Sequence, residues 1–127
     1  MKTTKSFGNH SKYSLHDARV QKIEYADDNL VLTFDYIFSY ENGTEQTHKA
    51  QVVFEKCDVD DLEILVFNST ILDTFRGKRI ELSHYQQEYS EGEFEIIIET
   101  YNWGRVVLQG WLWTEGNPVH CIMNIYF

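Results

Sequence analysis

Proline occurs once in the 127 residues, at Pro118, and glycine seven times. So few breakers leave no Pro/Gly-rich linker and no low-complexity tract, and residues 1–127 read as a single domain. Cysteine is nearly as scarce. Cys57 and Cys121 lie far apart with no second Cys or His at zinc-finger spacing, which argues against a disulfide framework and suits two small buried hydrophobes. Long apolar runs are missing as well: Ile96-Ile97-Ile98 and Val106-Val107-Leu108 fall far short of the ~18 residues of a bilayer-spanning helix. The opening Met1-Lys2-Thr3-Thr4-Lys5 is basic but has no apolar stretch behind it, so no secretory signal is expected and a cytoplasmic location is.

Positive charge is the last shortage. Eleven Lys+Arg face 20 Asp+Glu, a net charge of −9. Nucleic acid and anionic membrane are therefore not expected as main partners, because each phosphate contact needs a neutralising Lys or Arg. A basic protein is the electrostatically favoured partner, while the same charge also serves plain solubility.

What the chain does have is aromatic and apolar content, 15% and 43%, arranged with a period of two. From Leu30 to Tyr40 the even positions are Leu30, Leu32, Phe34, Tyr36, Phe38 and Tyr40, the spacing of one face of a β-strand. Upstream, from about Asp17 to Tyr25, Ala18 and Val20 share one parity and Ile23 and Tyr25 the other, which predicts a bulge near Gln21-Lys22. Downstream, His48, Ala50, Val52 and Phe54 continue at even positions.

Parity also bears on the hairpin turn. A two-residue Asn42-Gly43 loop would set Phe38 beside Thr47, apolar row against polar row. A three-residue loop Glu41-Asn42-Gly43 pairs Tyr36 with His48, Phe34 with Ala50 and Leu32 with Val52, and is the expected one. By the same logic a loop Asn102-Trp103-Gly104 aligns Thr100 with Val106, Ile98 with Leu108 and Ile96 with Gly110. A turn at Thr114 to Pro118 then leads into a last strand, Val119 to Phe127, carrying Cys121, Met123 and Ile125 on the core face.

The middle of the chain is less patterned. Ile64 to Phe67 suggests a strand, Ser69 or Thr70 can cap a short helix carrying Ile71, Leu72 and Phe75, Ile80 and Leu82 alternate as a short strand, and Glu88 to Gly92 reads as a loop. The whole is mainly β: an antiparallel sandwich or partly closed barrel of about seven or eight strands with at most one short helix.

The chemistry-bearing candidates follow from this frame. Trp111, Trp113, His120 and Tyr126 fall together on the face opposite Leu108 and Ile125. A second apolar face must be covered as core or offered to a ligand or partner. Tryptophan and tyrosine join large contact area to a polar handle, and the His120 imidazole can donate or accept a hydrogen bond. His16-Asp17 is a possible polar site, but adjacent strand residues point to opposite faces, which separates base from carboxylate. The acidic run Asp58, Asp60, Asp61, Glu63 lacks the sixth-position Gly and twelfth-position Glu of a calcium loop. His10, His48 and His84 form no zinc pair. No nucleophile elbow or phosphate loop is present, so no catalytic residue, metal or cofactor is assigned.

Leu15-His16-Asp17-Ala18-Arg19-Val20-Gln21-Lys22-Ile23-Glu24-Tyr25, followed by Asp28-Asn29-Leu30-Val31-Leu32-Thr33-Phe34, resembles the opening of small bacterial proteins in which an N-terminal "LHDA" precedes a β-hairpin. The resemblance covers about the first third of the chain. Some proteins of this size and acidity are immunity proteins of toxin systems, so the resemblance allows a neutralising role without identifying one.

The expectation is therefore a non-enzymatic binding domain for a protein partner. The alternative is a barrel-like domain holding a small ring-shaped ligand against Trp111, Trp113 and Tyr126, with His120 as polar anchor. An enzyme using His16 and Asp17, or His120, is the third reading.

Overall fold

A computed structural model describes residues 1–6, 13–41, 43–67 and 77–127. Among these, the alternating rows become nine strands: β1 (Lys2–Lys5), β2 (Arg19–Ala26), β3 (Asn29–Glu41), β4 (Thr44–Phe54), β5 (Glu63–Phe67), β6 (Lys78–Ile80), β7 (Glu93–Tyr101), β8 (Arg105–Trp113) and β9 (Val119–Tyr126). One short helix, α1 (Leu82–Glu88), and a 3-10 turn at Val59–Asp61 complete the described elements. The mainly β architecture is as the periodicity predicts. The extra strand is β1, whose Lys-Thr-Thr-Lys carries no apolar alternation; it is held by parallel pairing of Lys2–Lys5 with Gln51–Phe54.

The strands form one open sheet in the order β1-β4-β3-β2-β7-β8-β9-β5-β6, antiparallel except for β1 with β4. It is not a two-sheet sandwich. Instead the sheet curls, so that Lys5 Nζ reaches within 4.5 Å of the Tyr101 ring centroid on β7 and the Phe54 ring meets Phe127 at 5.2 Å. The concave face is the core. Leu32, Phe34, Val52, Phe94, Ile96, Leu108, Leu112, Met123 and Ile125 are all at most 3% exposed, and each such side chain contributes ~1.5–3 kcal/mol by leaving water.

The β2–β3 pairing shifts between Val20 and Lys22, leaving Gln21 as the bulged residue, where parity places it. The two long hairpins differ from expectation at their tips and agree at their bases. Glu41 pairs with Thr44 and Phe38 with Thr47, the register of a two-residue connection, with Gly43 at φ +74°; Asn42 lies outside the described residues. A bulge between Phe34 and Ile37 then restores Phe34 opposite Ala50 and Leu32 opposite Val52. The second hairpin does the same. Trp103 and Gly104 form a two-residue turn with φ +44° and +78°, Tyr101 pairs with Val106, and a bulge between Ile96 and Ile98 returns Ile96 to Gly110.

Each bulge moves the buried parity by one, as an unpaired residue must. Beyond the first, Ile37 and Ser39 are buried while Tyr36 and Tyr40 are exposed. Beyond the second, Ile98 is half exposed and Glu99 turns toward the inside of the curl.

Strands β2 and β7 meet over a short stretch only, Arg19 with Glu95 and Val20 with Phe94, extended by backbone bonds between Asp17, Ala18 and Ile96. Above this seam the two hairpins diverge, and Tyr13 to Ala18 fills the fork. Ser14 bridges to Phe38, Leu15 and Ala18 are buried, and the Ala18 N–H bonds the Leu15 carbonyl in a turn. Carboxylates replace the missing ladder: Glu99 Oε2 accepts the Leu15 N–H and the Ser14 hydroxyl, and Asp35 Oδ1 accepts the Arg19 N–H at 2.9 Å and the Tyr36 N–H.

Below the seam, α1 closes the gap. Its Leu82, Tyr85 and the following Tyr89 are buried at helical spacing, and Gln86 donates to the Ile23 carbonyl at 2.9 Å. The sequence reading assigns Leu82 to a strand; a run with apolar residues at i, i+3 and i+7 is instead a short helix. The expected helix over 69–75 lies outside the described residues.

Two stability tests follow. At the second bulge, a Cβ on Gly110 would sit 1.8 Å from the Glu95 carbonyl oxygen, and backbone cannot yield as a side chain can. Gly110→Ala is expected to cost about 1–3 kcal/mol or more, read as a lower denaturant midpoint; an unchanged midpoint would refute the tight crossing. Lys5, with its amine unpaired and its side chain fully buried, has its pKa lowered by burial, opposed by the charge of Glu99. Between that lowered value and 10.5 the unfolded chain binds the extra proton, so stability rises with pH across this window. Lys5→Met should raise stability at neutral pH by about 1–3 kcal/mol and abolish that rise, checked by urea unfolding at pH 7 and 10.

Candidate functional surface

The convex face of β7, β8, β9 and β5 carries the aromatic residues singled out in the sequence. Cross-strand neighbours share a face, and the register aligns Glu95, Trp111, His120 and Phe67 in one row across four strands. Glu93 pairs with Trp113 in the row above, and Gln109, Ile122 and Leu65 make the row below. Arg105 pairs with Tyr126 at the far end. Parity thus places Trp111, Trp113, His120 and Tyr126 on one face, as the sequence indicates.

That face is outside. Trp111 is 43% exposed, Trp113 36% and Tyr126 43%, with Ile98 on β7 at 50%. These side chains are therefore not the inner core of a sandwich, because no second layer of described residues covers them. The His120 ring lies 4.9 Å from Phe67 and 5.9 Å from Trp111, centroid to centroid.

Polar groups lock the two ends of this surface. The Arg19 guanidinium stacks over Trp113 at 5.3 Å and pairs with Glu95 at 3.7 Å, while Glu95 accepts the Trp113 indole N–H at 3.3 Å. At the other end Arg105 lies over the Tyr126 ring at 5.6 Å and donates to Asn124 Oδ1 at 2.8 Å; Asn124 in turn donates to Glu63 at 2.9 Å. Such bridged networks hold the rings they touch in fixed rotamers.

The Glu63 end runs into the acidic pole. The Asp27-Asp28 turn, positive in φ at both positions, meets the segment after β4 through the Cys57 N–H to Asp28 carbonyl bond, and Tyr25 Oη donates to the Cys57 carbonyl. Asp27, Asp28, Glu55, Asp58, Asp60, Asp61 and Glu63 gather there against Lys56 and Arg79, and all these carboxylates are exposed or half-buried. The potential registers on Cys57, whose thiol is pushed up to about 11 by burial and then by Asp58 and Asp61. Asp60, Asp61, Glu63 and Arg79 border a concavity of about 390 Å³ with Tyr126, so the aromatic face and the acidic pole are continuous. Phe67, Leu65 and Glu63 join the face only because β5 pairs with β9, a long-range contact that no local pattern announces.

The other candidates stand elsewhere. His16 and Asp17 are not on opposite faces: the turn places Asp17 at φ +65° and brings its carboxylate to 3.2 Å from His16 Nδ1, with both side chains more than half exposed. They belong to the turn that fills the fork, and neither lines any of the three concavities bordered by described residues. A serine–histidine contact unremarked in the sequence, Ser39 Oγ to His48 Nε2 at 2.9 Å, is closed off by its burial, since Ser39 is 2% exposed. Cys57 and Cys121 are buried free thiols, and burial pushes Cys121 up to about 12, which disfavours the nucleophilic thiolate.

Of three concavities bordered by described residues, none is lined by Trp111, Trp113 or His120, and one includes Tyr126. Among the described residues no group of three or more His, Cys, Asp or Glu is placed to hold a metal ion, and no helix is long and apolar enough to cross a membrane. Comparison with protein-family models, with curated proteins and with solved structures finds no match to this chain.

Proposed function

We propose that this chain is a non-enzymatic binding protein that docks a basic protein partner on the convex face of β7, β8, β9 and β5. The observation that carries the reading is the aromatic face of exposed Trp111 and Trp113 with half-buried His120 and Phe67, continuous through exposed Tyr126 with a carboxylate-rich pole. Aromatic anchors supply most of the binding energy of a typical interface, and surrounding charge steers the encounter and selects the sign of the partner. A toxin with a basic surface is the partner class implied by the immunity-type resemblance, and acidity of this kind suits it.

A small-ligand site against the same rings has less support, because the rings stand on a convex surface and apolar ligands are held in concave ones.

The test uses the intact chain immobilised against a lysate of its source cell, beside a Trp111→Ala/Trp113→Ala variant and an Asp60→Asn/Asp61→Asn variant. Recovery of a basic protein by the wild type, reduced tens-fold or more by the tryptophan variant as for hot-spot truncations, is the expected outcome. Raising the salt from about 0.05 to 0.5 M should weaken capture by wild type and affect the Asp60/Asp61 variant less. Equal recovery by wild type and tryptophan variant, or a partner that is acidic, would refute the proposal.

A further inference from the structure

The largest of the three concavities is on the other half of the sheet, and its origin is the pair of bulges that β2 and β3 carry side by side. The unpaired Gln21 on β2 and the shift between Phe34 and Ile37 on β3 bend the convex face inward at one level. The result is a cradle of about 540 Å³ bordered by Met1, Gln21, Thr33, Asp35, Tyr36, Lys49 and Gln51. That volume lies within the ~300–1,000 Å³ of ordinary small-molecule sites.

Its polar groups have capacity to spare. Asp35 uses Oδ1 for the Arg19 and Tyr36 N–H groups, so the bulge itself holds the carboxylate in place while Oδ2 stays available. Gln51 Nε2 makes only a long 3.4 Å contact to Thr33 Oγ1. Among the described residues, the side chains of Gln21, Tyr36 and Lys49 make no hydrogen bond or ion pair.

The mixture of charges and amides selects the ligand class. An anion would face Asp35 and a cation would face Lys49 and the Met1 ammonium, which donates to the Lys49 carbonyl at 3.1 Å, whereas a hydroxyl group both donates and accepts and so suits a carboxylate, ammonium groups and two carboxamides together. Tyr36, 46% exposed, offers a ring face against which the C–H side of a sugar can lie. We infer that the cradle formed by the two bulges binds a small neutral saccharide, with Asp35, Lys49, Gln21 and Gln51 on its hydroxyls and Tyr36 under its ring. This site is separate from the aromatic docking face and stands or falls independently of it.

Two-dimensional amide NMR of the full chain, titrated with maltose, cellobiose, lactose and N,N′-diacetylchitobiose to about 20 mM, tests the inference at the weak affinities such a shallow site permits. At least one sugar should shift the Gln21, Thr33 and Gln51 amides saturably, and Tyr36→Ala or Gln51→Ala should weaken that binding about tenfold or more. Both side chains lie on the outer surface, and dispersed spectra of the variants establish that they fold. Glycine and glutamate serve as zwitterionic and anionic comparators. No saturable shift with any sugar, shifts unchanged in Tyr36→Ala, or tighter binding of glycine or glutamate than of every sugar would each overturn it.

Discussion

The fold depends on a narrow seam. Two long hairpins, β3–β4 and β7–β8, are joined within the sheet only where Ala18 to Val20 meet Phe94 to Ile96. On either side of that contact the backbone groups of the diverging strands need other partners, because an unpaired buried N–H costs about 1–3 kcal/mol. Glu99 and Asp35 supply the acceptors above the seam and Gln86 the donor below it. Charge-assisted bonds from backbone N–H to carboxylate are among the stronger kinds available, which explains acidic residues on otherwise apolar strands. The Leu15-His16-Asp17-Ala18 segment has its structural meaning here: two buried apolar residues flank a turn that thrusts the polar pair outward.

The bulges are the second consequence of the seam. A two-residue turn followed by a one-residue bulge leaves the deep half of a hairpin in the same register as a three-residue turn with none. That is why parity reads Leu32 opposite Val52 and Ile96 opposite Gly110 correctly from a wrong turn. Parity misplaces the tips because the row Leu30 to Tyr40 has aromatic residues on both sides of the break, and Tyr36 and Tyr40 satisfy an apolar pattern while facing water. The real marker was Ile37, an apolar residue at the opposite parity. In the second hairpin Ile97 stands between Ile96 and Ile98, so three identical residues erase the parity signal.

Strand pairing distant in sequence was not legible. Nothing local tells that β5 lies beside β9, or that Lys2 to Lys5 adds a parallel edge, and both depend on the curl of the finished sheet. Which face of the last hairpin is covered is equally hidden, since large apolar or aromatic residues stand on both, Leu108 and Ile125 on one side and Trp111 and Ile122 on the other. The distinction lies in side-chain chemistry: the concave rows of β8 and β9 hold Val106, Leu108, Leu112, Cys121, Met123 and Ile125 with no charged residue, whereas the convex face interleaves rings with Glu95, Arg19, Arg105 and Asn124, each bonded to a neighbour. A face intended for burial within its own domain has no use for that polar frame.

Curling also divides the outside. The seam separates the convex surface of β7, β8, β9 and β5, where rings stand proud and acidic groups gather at one end, from that of β2, β3 and β4, where two adjacent bulges make a hollow lined by amides and charges. Convex and aromatic suits a macromolecular partner; concave and mixed in polarity suits a small polar one. Among the described residues both edges of the sheet are short strands, of four and three residues, which limits edge-to-edge association and favours the faces as the proposed recognition surfaces. The irregularities that satisfy backbone hydrogen bonding around the seam thereby also shape the outside of the molecule: a change at Gly110 should disturb the proposed recognition only through the fold and one at Asp35 through both the fold and the cradle it lines, whereas changes at Trp111 or Tyr36 leave the fold in place.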